Sequence, residues 1–295
     1  MTQIDLHFST RAERDRAYNA RASVPDFEAC MADYARLSEQ ARARCTGLFD
    51  LPYGAAKAER LDLLLPAAAH HGAPLLVFIH GGYWRAQTKE NAALVAPALL
   101  AAGAAVALIE YPLLPGCTLA DTVRSVRSAL AWLHRHAARY GIDATRMVAA
   151  GSSAGAHLAA MLAAPGWRED FVGLPEHPVH GLLCLSGLFD LRPLCETDVQ
   201  EWLRLTPAQA WRLSPLAGVP DAPLPVVLSV GGLEPEGFQR QSAAYEAACR
   251  ARGLAVQRLD MPRCNHFDLL HELGIPASPL ANAALGLLGL PASAR

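Results

Sequence analysis

Strong charge of either sign is missing from this chain: 26 basic and 28 acidic residues leave a net charge of −2, with a pI near 6.6. No basic footprint for nucleic acid and no charge run for a membrane surface follow from that balance. Patterned cysteine is missing too. The seven cysteines (Cys30, Cys45, Cys117, Cys184, Cys195, Cys249 and Cys264) include no C-x-x-C pair. An odd, scattered set reads as reduced thiols in a cytosol, not as a disulfide framework. No H-E-x-x-H, no dense cluster of His and Asp, and no glycine loop followed by lysine occur, so no metal, phosphate loop or cofactor is expected. The longest apolar stretch, Leu94 to Ile109, is broken by Pro97 and Gly103. It reads as a helix, a turn and a buried strand instead of a membrane span. Met1 to Asp5 and the charged stretch Arg11 to Arg16 lack the apolar core of a signal peptide. The expectation is a soluble cytoplasmic protein whose partner is a small molecule, not nucleic acid or membrane. Pairing of two copies is left open.

What the chain does have is apolar residues, 52% of its 295, enough for a large core. No internal repeat or low-complexity linker divides it. Residues 1–295 read as one domain, with 1–45 a helical segment that either braces the sheet or overhangs the site. Phe27, Met31, Tyr34 and Leu37 recur there at helical spacing behind the start signal Pro25-Asp26. From residue 46 strands and helices alternate. Strands are expected at 59–65, 75–79, 105–111, 147–150, 181–186, 226–230 and 256–261, several as the continuous apolar runs of strands buried on both faces. Helices are expected at 89–102, 118–140, 153–163, 238–252 and 279–288. Alternation of this kind predicts a doubly wound, mostly parallel sheet with helices on both faces, whose ligands lie beyond the carboxyl ends of the strands. The stretch 191–216, with Trp202 and Trp211, reads as an excursion that walls one side of the site.

Two glycine motifs fall at such strand ends. Gly151-Ser152-Ser153-Ala154-Gly155 follows Met147-Val148-Ala149-Ala150 and describes a strained strand-to-helix turn that holds a serine hydroxyl up to a substrate. His80-Gly81-Gly82-Tyr83-Trp84 follows Leu75 to Ile79, and glycine there lets backbone N–H groups approach an oxyanion. A serine hydroxyl needs a base, and histidine titrates near the working pH. In this architecture the order is serine, acid, histidine. His266, just past the last strand, is the expected base; His271 falls at a helix start. The acid should follow strand 226–230, where Glu234 is favoured over Glu236, with Asp190 and Asp268 as further candidates. His157 reads as a satisfied core histidine and His80 as a prop for the glycine loop.

With these residues in place the chain resembles the α/β-hydrolase fold, and within it the serine-type kynurenine formamidases (arylformamidases), neighbours of the hormone-sensitive-lipase-like esterases. The resemblance is carried by His80 to Trp84, by Tyr18-Asn19-Ala20-Arg21 with Val24-Pro25-Asp26, and by Leu51-Pro52-Tyr53-Gly54. It is carried too by Glu59 to Asp62, Asp190 to Leu194 and Arg240-Gln241-Ser242. It implies Ser153 as nucleophile, His266 as base, and Glu234 where the family usually has aspartate. Backbone N–H groups of Gly82 and Ala154, with Gly81 as a further donor, would form the oxyanion hole. Tyr83, Trp84 and Phe267 would pack a substrate's aryl ring, and Arg85 is a candidate for a substrate carboxylate. The implied reaction is hydrolysis of an N-formyl aryl amine, such as N-formyl-kynurenine to kynurenine and formate. The rival readings are a carboxylesterase acting on small acyl esters and a non-catalytic small-molecule receptor on the same fold.

Overall fold

The computed structural model describes residues 8–67 and 72–293. Met1 to Asp5, read above for their lack of a signal core, lie outside the described residues. Eight strands form one sheet in the order β1-β2-β4-β3-β5-β6-β7-β8. They are β1 (Thr46–Pro52), β2 (Arg60–Leu65), β3 (Ala73–Ile79), β4 (Ala105–Ile109), β5 (Ile142–Ser152), β6 (Gly181–Leu185), β7 (Val226–Gly231) and β8 (Val256–Met261). β1 and β2 pair antiparallel, β2 pairs antiparallel with β4, and every pairing from β4 to β8 is parallel. β3, β4 and β6 are buried along their whole length. Helices on both faces remove water from such strands, and this is why they read as unbroken apolar runs.

The helices are α1 (Arg11–Tyr18), α2 (Phe27–Arg44), α3 (Pro97–Ala101), α4 (Leu119–His136), α5 (Ala154–Ala163), α6 (Gln200–Leu203), α7 (Pro207–Arg212), α8 (Glu236–Ala251), α9 (His271–Gly274) and α10 (Pro279–Leu287). α4 begins at a reciprocal cap, Thr118 with Asp121, and α1 at another, Thr10 with Glu13. The helix expected over 89–102 is instead a 3₁₀ stretch, Lys89–Val95, followed by α3. Pro97 has no N–H to continue a helix, and it opens a new one at its first turn. β5 starts five residues before its apolar core, at Ile142. β1 and α1 have no counterpart among the expected elements. β1 lies at the sheet edge, mostly exposed, with a register shift between Leu48 and Leu51 and Asp50 at φ 54°. A bulged, exposed strand shows no alternation of apolar residues.

A buried ion cluster fastens the N-terminal segment to the sheet. Asp62 of β2 is fully buried and accepts an ion pair from Arg42 of α2. Its other oxygen takes Lys89 Nζ at 2.9 Å and the backbone N–H of Asp50 at 2.9 Å. Lys89 also meets Asp50 (2.9 Å) and Glu90 (2.5 Å). Burial alone would lower the Lys89 pKa, but these carboxylates together hold it above the usual lysine value. Nearby, Ser38 Oγ of α2 donates to the Asn91 carbonyl and accepts from Leu94 N–H. Replacing Asp62 with alanine leaves Lys89 and Arg42 without their buried partner. Asp62→Ala should cost about 3 kcal/mol of stability, read from urea unfolding, and a change below about 1 kcal/mol would contradict this account.

Candidate active site

At the end of β5 the chain turns sharply into α5. Ser153 sits in that turn at φ 56°, ψ −121°, a conformation that costs a non-glycine residue energy and persists only where its surroundings impose it. Its N–H donates to the Leu185 carbonyl at the end of β6 (2.8 Å). The spacing around it is set by backbone contact: a Cβ on Gly155 would lie 2.0 Å from the Ile79 carbonyl oxygen. Only glycine fits where the new helix crosses the end of β3.

The loop after β3 packs against the same turn. A Cβ on Gly81 would lie 3.0 Å from the Ser152 oxygen and 3.3 Å from Ser153 Cβ. Gly82 has φ +92°, and a Cβ there would lie 2.1 Å from the Ala86 oxygen. Among the described residues the N–H groups of Gly82 and Ala154 donate to no protein acceptor. His80 is buried behind the loop, its ring 4.3 Å from that of Tyr111 and its Nε2 3.0 Å from Glu110 Oε1. Tyr111 OH donates to the carbonyls of both His80 and Gly81 (3.0 Å each). His80 is thus a prop, as its position in the sequence suggested.

His266 stands in the loop after β8. Asn265 Oδ1 accepts from the N–H groups of Phe267 (2.8 Å) and Asp268 (3.1 Å), while Asp268 accepts from Asn265 N–H (2.6 Å). This closed ring of bonds fixes the turn that presents the imidazole. His266 Nδ1 lies 2.6 Å from Glu234 Oε2. The other Glu234 oxygen accepts from Ser186 Oγ and from Gly231 N–H, 2.6 Å each. A carboxylate facing Nδ1 makes that nitrogen the donor and leaves Nε2 as a lone pair. The other candidate acids are engaged elsewhere: Glu236 pairs with Arg240 within α8, Asp190 takes Arg192 at 2.5 Å, and Asp268 caps Asn265. His271 opens α9, its ring against Tyr34 (5.6 Å).

Ser153 and His266 line one cavity of about 630 Å³. Tyr83 and Phe267 line it as well; Phe267 packs edge-on against Phe27 (5.4 Å), and Tyr83 OH donates to the Tyr18 carbonyl (2.5 Å). Trp84 does not, which corrects its expected place beside a substrate. Gly82, Tyr83 and Trp84 all have positive φ, and this tight turn sends Tyr83 into the cavity and Trp84 into the core behind it. Trp84 Nε1–H donates to His157 Nδ1 (3.2 Å), and His157 Nε2 lies 2.7 Å from the Leu213 carbonyl. Residues of the N-terminal segment such as Tyr18, Phe27, Met31 and Tyr34 wall the cavity. Tyr34 OH donates to the Phe267 carbonyl (2.9 Å), next to His266. Trp202, in the excursion read as a wall, lines the cavity, whereas sequence reasoning assigned no role to Ser186. A positive φ of 52° marks Ser186, directly after β6, but nothing in its residue type signals that.

Against known proteins, a family model described as BD-FAE matches residues 61–175, from β2 past the serine turn. The kynurenine formamidase of Danio rerio is 32% identical over 80% of this chain and 80% of its own length. The chain belongs to the kynurenine formamidase family. Esterase LipQ of Mycobacterium tuberculosis is 28% identical over 75% of this chain and 57% of its own. A solved structure of a putative thioesterase from Silicibacter sp. TM1040 superposes with a TM-score of 0.78 at 28% identity, covering 90% of this chain and 96% of that one. The fold of the family member described here is therefore that of an α/β-hydrolase, and the protein is a hydrolase. None of the described helices is long and apolar enough to cross a membrane.

Burial pushes His157 down to about 4, from an ordinary value of 6.5. A depressed histidine stabilises the fold above its unfolded value and loses that contribution as pH falls, because the unfolded chain takes up the proton first. Between pH 7 and 5 this should remove about 2 kcal/mol. Urea unfolding at the two pH values should show a flatter pH slope for His157→Gln than for the parent; equal slopes would contradict it.

Proposed function

We propose that this protein hydrolyses the C–N bond of an N-formyl aryl amine, with N-formyl-kynurenine giving kynurenine and formate as the reaction that fits best. The observation that carries this reading is that Ser153 and a Glu234-braced His266 line one aromatic-walled cavity, in a chain of this family. Ser153 Oγ attacks the formyl carbon while His266 Nε2 takes its proton. Glu234 keeps the proton on Nδ1 and stabilises the imidazolium that forms. The free N–H groups of Gly82 and Ala154 receive the developing oxyanion, about 3 kcal/mol for each donor. His266 then protonates the leaving aryl nitrogen, the C–N bond breaks, and Ser153 is left as a formyl ester. Water, deprotonated by His266, attacks that ester and releases formate. Every proton and charge in these steps has a protein group to hold it, so the scheme calls for no cofactor.

Phe27, Tyr34, Tyr83, Trp202 and Phe267 give an aryl leaving group apolar surface. The same machinery serves an ester, and the likeness to LipQ favours carboxylester hydrolysis as the second reading. Balanced charge and unpatterned thiols support a cytosolic setting with a small-molecule substrate.

Ser153→Ala should lose at least about 10⁴-fold in kcat and all labelling by a phosphonate probe. Equal labelling of parent and variant would leave the receptor reading standing. Glu234→Gln, which reverses the donor facing Nδ1, should lose about 10³-fold or more in kcat/KM at pH 7, whereas Glu236→Gln should stay within about threefold. On one preparation, kcat/KM for N-formyl-kynurenine should exceed that for a short-chain nitrophenyl ester. A preference for the ester by several orders of magnitude would sink the formamidase assignment and leave a carboxylesterase.

A further inference from the structure

Most charge at the mouth of the cavity is compensated by neighbours. Arg21 is paired with Glu28 (2.9 Å). Asp198 is paired with Arg11 (2.6 Å), which also faces Asp15 (3.6 Å). Arg85 differs. It is exposed and lines the same cavity, and among the described residues no carboxylate lies within ion-pair distance of it.

Its guanidinium instead lies over the indole of Trp202, 4.1 Å from the ring centroid. The indole is held in turn: Nε1–H donates to the Tyr83 carbonyl (3.1 Å), and the ring meets Tyr83 edge-on at 6.2 Å. At the other end of the side chain, Arg85 N–H donates to the Gly82 carbonyl (3.0 Å). That closes a turn which keeps the two Cα atoms within about 7 Å. Backbone and side chain of Arg85 are therefore both registered to the loop that carries the oxyanion donors. A guanidinium over an indole face makes that contact without using its N–H donors, and no protein acceptor takes them among the described residues. The result is a planar cation, held in place, with donors unspent, beside an aromatic cavity. Its complement is a planar anion.

We propose that Arg85 is a specificity-determining residue that receives a carboxylate carried by the substrate away from the scissile bond. The substrate class is then aryl formamides or aryl esters with an anionic side group. The inference rests on the hydrolase reading, since that reading makes the Gly82 loop the place where the scissile carbonyl binds. It does not require the bond to be a formamide.

Two matched pairs test it: 3-(4-formamidophenyl)propionate against formanilide, and 3-(4-acetoxyphenyl)propionate against phenyl acetate. In Arg85→Gln the anionic-over-neutral ratio of kcat/KM should fall about 10- to 30-fold in both pairs, mainly through KM. Arg85→Lys should keep part of the ratio, because it retains the charge without the two-pronged fork. Added salt should lower kcat/KM for the anionic substrates in the parent and much less in Arg85→Gln. An unchanged ratio, or a parallel loss on both members of each pair, overturns the proposal and makes Arg85 a packing partner of Trp202. Failure of the parent to cleave either formamide, with the ester pair still losing its ratio, would sink the formamidase reading alone.

Discussion

The contact between the start of α5 and the end of β3 is the constraint on which the site depends. Gly155 lies so close to the Ile79 carbonyl that no side chain fits between them. β3 and β5 are parallel neighbours in register, Ile79 opposite Gly151, so both strands finish at one level. The loop that follows each therefore emerges beside the other, the glycine pair from β3 and Ser153 from β5. Continuing across the sheet, β6 delivers Ser186, β7 delivers Glu234 and β8 delivers His266. Strand order is the ruler that spaces the site, and a parallel sheet places every one of these loops on the same edge.

Glu234, at the place where the resemblance implies aspartate, is held from behind. Its carboxylate is held at three points, by His266, Ser186 Oγ and Gly231 N–H, and its side chain is buried. A longer side chain has more rotamers to lose, and hydrogen bonds to a charged acceptor are the strong kind that can hold one of them. Ser186 and Gly231 leave Oε2 for the imidazole. The histidine is likewise oriented through a closed ring of bonds at Asn265 and Asp268.

How much of this was legible in the sequence depended on range. Ser153, the glycine loop and His266 could be read because their signals are local: glycine spacing, an apolar strand before, a helix after. Glu234 could be preferred over Glu236 from its distance to a strand end, but that Glu236 turns to Arg240 is a property of α8. Trp84 was misplaced because residue type says nothing about which way a turn of consecutive positive φ values faces. β1 escaped because an exposed, bulged edge strand is held by pairing with β2 and not by its own pattern. Trp202 sits in the excursion that reads as a wall, whereas Tyr18 and Tyr34 come from a segment left open between bracing and overhanging, and only the fold brings them to the cavity.

Tyr34 and Phe267 are 233 residues apart, and the bond between them steadies the peptide next to His266. The helix that steadies the histidine loop is synthesised 233 residues before it. Contacts of such long sequence separation form late, after the loop between them has been closed. A nascent chain can complete the serine turn and the glycine loop while the loop after β8 is still unmade. The Tyr34 bond can therefore close only after both segments are made and the sheet has brought them together.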